Sequence, residues 1–168
     1  MTDESMRFDR IPATSADRED PETPTRTEVL DFFADNYGIE PAVFEEHTIW
    51  ERGSGKLWVF RGTPSTPVAV QGLGMTLLRT RQEHWKPTTD AIQRFGHHAE
   101  KNVIMLEADA AAAFVAGEDQ AAEWWNGEWG YLIVAHEIAG DREPIGVGLY
   151  LRGELRSQIP KGRRRDLH

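Results

Sequence analysis

Large apolar residues are sparse over residues 1–24, where Pro12, Pro21 and Pro24 interrupt a polar run. Such a stretch buries too little surface to offset the entropy of ordering it, so it is expected to be a flexible acidic arm, with Phe8 and Ile11 docking locally. The pattern changes at Thr25-Arg26-Thr27-Glu28. A Thr followed three residues later by Glu is the capping-box arrangement, in which each side chain bonds the other's backbone N–H. Val29, Phe32 and Phe33 then recur at i, i+3 and i+4, predicting a helix with one buried stripe that stops at Gly38. Pro41 begins a short helical turn through Phe44. Residues 47–51 and 56–60 read as two strands, and Arg52-Gly53-Ser54-Gly55 between them predicts a hairpin. Gly62-Thr63-Pro64-Ser65-Thr66-Pro67 reads as a linker, which places a domain boundary there.

Beyond the linker, Val68-Ala69-Val70, Gly72-Leu73-Gly74 and residues 75–80 predict a strand with a glycine kink. Lys86-Pro87-Thr88-Thr89-Asp90 leads into a helix carrying Ile92 and Phe95 and stopped by Gly96. Residues 102–106 predict a short buried strand. Asp109 is expected to cap an Ala-rich helix over residues 110–116, ended by Gly117. Residues 131–136 and 145–151 are strand-like, with Gly140-Asp141-Arg142-Glu143-Pro144 as the turn between them. Gly153-Glu154 makes a second turn into residues 155–159, and Pro160-Lys161-Gly162 ends the regular structure.

Composition adds a charge asymmetry to this picture. The 168 residues carry 28 Asp and Glu against 19 Lys and Arg, a formal charge of −9. From residue 152 onward the balance reverses: Arg152, Arg156, Lys161, Arg163, Arg164 and Arg165 face only Glu154 and Asp166. That segment is +4 and the preceding 151 residues are −13. A basic end on an acidic body points to an anionic partner at that end. No apolar run approaches the ~18–20 residues of a membrane span, and the acidic N-terminus lacks a signal-peptide pattern, so a cytoplasmic location is expected.

Candidate chemistry narrows the function. With no cysteine, the chain has no disulfide framework, iron–sulfur cluster or cysteine nucleophile. His84, His97, His98 and His136 do not form a zinc-type spacing. No serine sits in a G-x-S-x-G elbow. Glu45-Glu46 and Asp119 with Glu123 read as solvated faces. Gly72-Leu73-Gly74 lacks the third glycine and the following helix of a dinucleotide fingerprint. No cofactor, metal or catalytic residue is therefore expected. Trp124, Trp125 and Trp129 leave two readings open: a plug in the edge of the β unit, or a platform on which bases stack.

Certain runs resemble a known family. Val29-Leu30-Asp31-Phe32-Phe33, Tyr37-Gly38-Ile39, Phe44 and Lys56-Leu57-Trp58-Val59-Phe60 look like the small module that precedes a PUA domain in RNA-modification proteins. Gly72-Leu73-Gly74 and Lys86-Pro87-Thr88-Thr89-Asp90-Ala91 resemble the opening strand and first helix of a PUA domain. Pro144-Ile145-Gly146-Val147-Gly148, Gly153-Glu154-Leu155-Arg156 and Ile159-Pro160-Lys161-Gly162 are similar to the close of the PUA-like domain attached to Nol/Nop/Sun (Fmu) family RNA cytosine-5 methyltransferases. The chain resembles a stand-alone archaeal relative of that pre-PUA/PUA region, of the ribosome-biogenesis kind. The family's catalysts attack cytosine with a cysteine and carry a separate S-adenosylmethionine domain. Neither occurs in this chain, so the resemblance implies RNA binding without methyl transfer.

The resemblance implies an α+β fold: a helix-plus-hairpin pre-PUA module over residues 25–62, then a PUA-like β-barrel with two helices and a basic C-terminal end over residues 67–168. By position it implies an RNA-facing groove at Gly72, Leu73 and Gly74, where absent side chains admit RNA backbone. Arg79, Arg81, Lys86 and Lys101 would contact phosphate, and Arg152, Arg156, Lys161, Arg163, Arg164 and Arg165 would extend the surface. The expected function is a non-catalytic RNA-binding protein acting on structured rRNA or tRNA, with no DNA or membrane partner. The alternative is an adaptor that docks an RNA methyltransferase or ribosomal protein in trans.

Overall fold

In the computed structural model the described residues are 7–53, 55–62, 68–69 and 74–164. The capping box opens α1 (Arg26–Tyr37) as expected: Glu28 N donates to Thr25 Oγ1 at 3.1 Å, and Thr25 N donates to Glu28 Oε1 at 2.9 Å. Val29, Phe33 and Tyr37 form its buried stripe, and left-handed Gly38 (φ 66°) closes it. The hairpin is also present, as β2 (His47–Arg52) against β3 (Lys56–Arg61).

Two expectations for this half are corrected. Residues 7–24 are not a flexible arm. Strand β1 (Arg7–Arg10) pairs antiparallel with β2, and Phe8 is 0% exposed beneath an edge-on contact with Trp58, ring centroids 5.3 Å apart. Ile11 N donates to Ile49 O, and Arg26 N to Pro12 O, so the chain stays pinned as it approaches α1. Two well-placed apolar anchors outweigh a polar composition when a neighbouring strand satisfies the backbone.

Nor does the boundary lie at residues 62–67. β4 (Val68–Ala69) pairs with β1, and β5 (Met75–Arg79) pairs with β3. The first sheet runs β4-β1-β2-β3-β5-β6, where β6 is Lys86–Pro87. The first unit therefore extends to Lys86 and the second begins at Pro87. Of the expected linker, residues 63–67 lie outside the described residues, and it is the pairing of the strands on either side that puts both in one sheet.

In the second unit, Thr88 caps α2 (Thr89–Phe95) by accepting from Ala91 N at 3.1 Å. Gly96 is the C-cap at which α2 ends, as expected, and a separate 3-10 turn follows over Gly96–His98. Strand β7 (Val103–Met105) precedes α3 (Ala108–Val115). Asp109 sits in the first turn of α3 rather than capping it, because the helix begins earlier, after Glu107. Next come β8 (Gln120–Ala121), β9 (Gly130–Ile138), β10 (Asp141–Leu151) and β11 (Glu154–Ser157). Their order is β7-β9-β10-β11-β8, with β7 parallel to β9 and the other pairs antiparallel.

The β9–β10 hairpin is longer than its charged sequence suggests. Asp141, Arg142 and Glu143 pair with Ile138, Glu137 and His136, leaving only Ala139-Gly140 as the turn. Polar residues on the solvated side of a strand look like a turn in sequence. After β11 the chain adds one more 3-10 turn, Lys161–Arg163, past the expected end of regular structure.

Ile104, Leu106, Phe114, Leu132, Val134, Tyr150, Leu155 and Ile159 form the core of this unit. The glycines of the Gly146-Val147-Gly148 run are there for packing. A Cβ on Gly146 would lie 2.6 Å from Ile159 Cδ1, and one on Gly148 would lie 2.6 Å from Leu155 Cδ1. Asp119 is exposed, as expected of a solvated face, and also accepts from Ser157 N at 3.0 Å, which ties α3's exit to β11.

Candidate nucleic-acid interface

The residues expected to share one RNA groove divide between the two units. Gly72, Leu73 and Arg165 lie outside the described residues. Gly74, Arg79, Arg81 and Lys86 belong to the first unit, whereas Lys101, Arg152, Arg156, Lys161, Arg163 and Arg164 belong to the second. The premise that residues 67–168 form one barrel is what fails, because β5 completes the first sheet.

Within the first unit these residues have separate roles. Gly74 (φ 66°) lets the chain enter β5 closely against β3, since a Cβ there would collide with Val59 O. It faces protein backbone rather than an open groove. Arg81 is ion-paired with Glu22. Arg79 sits directly opposite Lys56 in the sheet register. Half-buried Lys86 has its pKa lowered, first by burial and then by the nearby charge of Arg79.

The cations of the second unit gather at opposite ends of its sheet. At one end the turn Arg152-Gly153 joins β10 to β11, with both residues left-handed (φ 51° and 81°) as a tight two-residue hairpin turn requires. Ala122 N donates to Gly153 O at 2.8 Å, which brings the loop over residues 122–129 to this turn. Asn102 Nδ2 donates to Glu128 Oε2 at 3.2 Å, which brings Lys101 to the same loop. Lys101 and Arg152 are both exposed, and neither pairs with another described side chain.

The tryptophan loop at this end resolves the two open readings residue by residue. Trp125 packs on Tyr150, ring centroids 6.5 Å apart, and its Nε1 donates to Glu128 O at 3.1 Å. Trp124 and Trp129 are each 62% exposed. One indole anchors the loop and two stand in solvent.

At the other end the C-terminal arginines are docked. Arg163 Nη1 lies 2.6 Å from Asp90 Oδ1, and its Nη2 donates to Gln93 Oε1 at 3.1 Å. Arg164 Nε donates to Ile159 O at 3.2 Å, and its side chain covers Gly117, where any Cβ would collide. Lys161 is exposed beside them, and Arg156, on β11, pairs with Glu154 at 2.7 Å. A groove of about 650 Å³ lies here, lined by Gln93, Val115, Ile138, Glu143, Ile159 and Arg163 among others. Its carboxylates offset its one guanidinium, so its charge does not select an anion.

Two of the candidate histidines have local partners. His136 Nδ1 lies 2.7 Å from Leu106 O and His97 Nε2 lies 3.0 Å from Glu143 Oε2. Among the described residues, no group of three or more His, Asp or Glu is placed to hold a metal ion.

Two family models match the chain, one in each unit. Residues 101–165 match the PUA domain of the methyltransferase RsmF. The second unit carries a PUA-like region. Residues 1–74 match a family of unknown function, DUF7122. No curated protein matches the chain. The α+β architecture, with a helix-plus-hairpin module ahead of a PUA-like β unit with two helices, is the expected one, although the division between the units is not. A PUA domain suggests RNA binding in general, and the match over residues 101–165 supports that coarse reading. What the sequence missed is the pairing of Lys56 with Arg79 and the exposure of Trp124 and Trp129. The first depends on β5 joining β3 from a distant segment, and nothing local signalled either.

Proposed function

We propose that this protein is a non-catalytic RNA-binding protein that acts on structured rRNA or tRNA during ribosome biogenesis or RNA modification. The observation that carries this reading is the PUA-like region itself. Its exposed Lys101, Arg152 and Lys161 supply cations for phosphate, and Trp124 and Trp129 supply flat apolar surface for unpaired bases. Arg156, Arg163 and Arg164 contribute less than their number suggests, because protein groups already take up much of their hydrogen-bonding capacity. With no cysteine in the chain, the thiolate attack used by the resembling methyltransferases cannot come from it.

Fluorescence anisotropy with labelled tRNA and an rRNA hairpin tests the reading. The wild-type chain should bind at moderate salt, and the triple variant Lys101→Glu, Arg152→Glu, Lys161→Glu should bind at least tenfold more weakly. Equal affinity of the two proteins, or no binding by the wild type, contradicts it.

A further inference from the structure

The groove beside the β9–β10 turn belongs wholly to the second unit. At about 650 Å³ it is the size of a ligand cleft. Its apolar wall is Val115 from α3, Ile138 and Ile145 from the hairpin, and Ile159 just past β11. Ile138 is 52% exposed, an unusual position for a large aliphatic side chain.

Two irregularities of the backbone meet at this groove. Ile145 is the extra residue of a bulge in β10, between Pro144 opposite Ala135 and Gly146 opposite Val134. A bulge re-aims a side chain out of the regular alternation of its strand, and Ile145 lines the groove. Ala139, at the turn, holds a left-handed backbone (φ 54°) that glycine adopts more readily, and it lines the groove too. Strained and bulged positions of this kind collect at binding sites. The walls are also braced. Gln93 Nε2 donates to Ile145 O at 3.1 Å, and Gln93 Oε1 accepts from Arg163 Nη2 at 3.1 Å, so α2, β10 and the last 3-10 turn are tied together.

Charge selects the occupant. Arg163, the one guanidinium in the lining, is already taken up by Asp90 and Gln93. The carboxylates are less committed. Glu143 faces His97 at 3.0 Å, and exposed Asp141 has no side-chain partner among the described residues. Exposed Glu137 stands opposite Arg142, whose guanidinium is turned to His97 O and Ala99 O. A phosphate would be repelled here. An ammonium or guanidinium on an aliphatic stem suits both halves of the groove, with the stem on apolar surface and the head at a carboxylate. We infer that this groove docks a basic segment of a protein partner, seating aliphatic side chains against Ile138 and Ile145 and Lys or Arg heads at Asp141 and Glu143. It lies at the opposite end of the sheet from Lys101, Arg152 and the tryptophan loop, so a single unit can hold RNA and a protein partner together.

Fluorescence anisotropy of the full chain with a labelled Gly-Ser-Lys-Leu-Lys-Leu-Lys-Ser-Gly peptide tests it. The wild type should bind this peptide at least tenfold more tightly than the versions with Ser for each Leu or Glu for each Lys. Asp141→Lys should weaken binding at least fivefold. Glu123→Lys makes the same charge change beside the Gly153 turn, at the other end of the sheet, and should stay within twofold of wild type. Ile138→Ser should weaken peptide binding at least threefold and leave tRNA affinity unchanged. Asp141 and Ile138 are both exposed, so these variants should keep the wild-type thermal midpoint; Glu143→Gln, with at least a twofold loss, serves if either folds poorly. No peptide binding by the wild type, or equal losses at Glu123 and Asp141, overturns the inference. So does loss of tRNA binding in Ile138→Ser, which would give the groove to RNA, or a wild-type dimer that Ile138→Ser dissociates, which would give it to a second copy of the chain.

Discussion

Arg163 reaches back from the last turn of the chain to Asp90 in the first turn of α2, Nη1 to Oδ1 at 2.6 Å. The basic C-terminal stretch is thereby held against the second unit, and one of its guanidiniums is committed to a carboxylate. Both partners are nearly half exposed, and ion pairs of that kind contribute about 0–1 kcal/mol. Arg163→Ala should accordingly cost no more than about 1 kcal/mol in urea unfolding. It should weaken tRNA binding less than Arg152→Ala does. A larger affinity loss at Arg163 would move the RNA contact to the C-terminal end.

The tryptophan loop should separate stability from binding. Trp124→Ala and Trp129→Ala remove side chains that are mostly in solvent, so each should change unfolding free energy by under about 0.5 kcal/mol. If the indoles stack on bases, each loses about 1–3 kcal/mol of binding to RNA with unpaired bases, and much less to a blunt duplex. Trp125→Ala should do the reverse and destabilise the fold by about 2 kcal/mol, below the ~3–5 kcal/mol of a fully buried Trp. Denaturant unfolding and anisotropy on the three variants decide it.

Gly148 lies under Leu155 and Val134, so a methyl group there overpacks the core. Gly148→Ala should destabilise by about 1–3 kcal/mol. A compensating Leu155→Val should recover part of the loss, and failure of the double variant to do so would place the strain in the backbone.

Glu51 is half-buried, and that burial raises its carboxyl pKa even though Gly55 N, Arg81 and Thr23 favour the charged form. A carboxyl whose folded pKa is raised stabilises the fold most when protonated, and that contribution is lost as pH rises through the folded value. Glu51→Gln removes the ionisation but keeps an amide oxygen for Gly55 N. The variant should therefore unfold at a higher temperature than wild type at pH 7–8. The gap should close as pH falls below the ordinary carboxylate range. A gap independent of pH would mean that burial of this charge is not its cause.

Features written in a few adjacent residues were legible in the sequence. The capping box at Thr25 and Glu28, the stop at Gly38 and the β2–β3 hairpin each depend on contacts within a handful of positions. What escaped depends on pairing between distant segments. Phe8 turned a polar stretch into a strand because β2 stood ready to bond it, and β5 joined β3 although the sequence between them has the composition of a linker. The candidate site suffered most, since that one pairing moved Gly74, Arg79, Arg81 and Lys86 out of the second unit. The net charge of −9 hid the same lesson at another scale. Placement of the cations, not their sum, decides where an anion can dock, and placement is a property of the register.

The most direct test of the account is the salt dependence of tRNA binding by the full chain and by its Lys101→Glu, Arg152→Glu, Lys161→Glu variant. For the wild type, log affinity should fall linearly with log salt, and the variant should bind more weakly with a slope shallower by about 2, as three phosphate contacts are lost. Wild-type binding that ignores salt, or a variant with the same affinity and slope, would contradict the claim that the PUA-like region holds RNA by these cations.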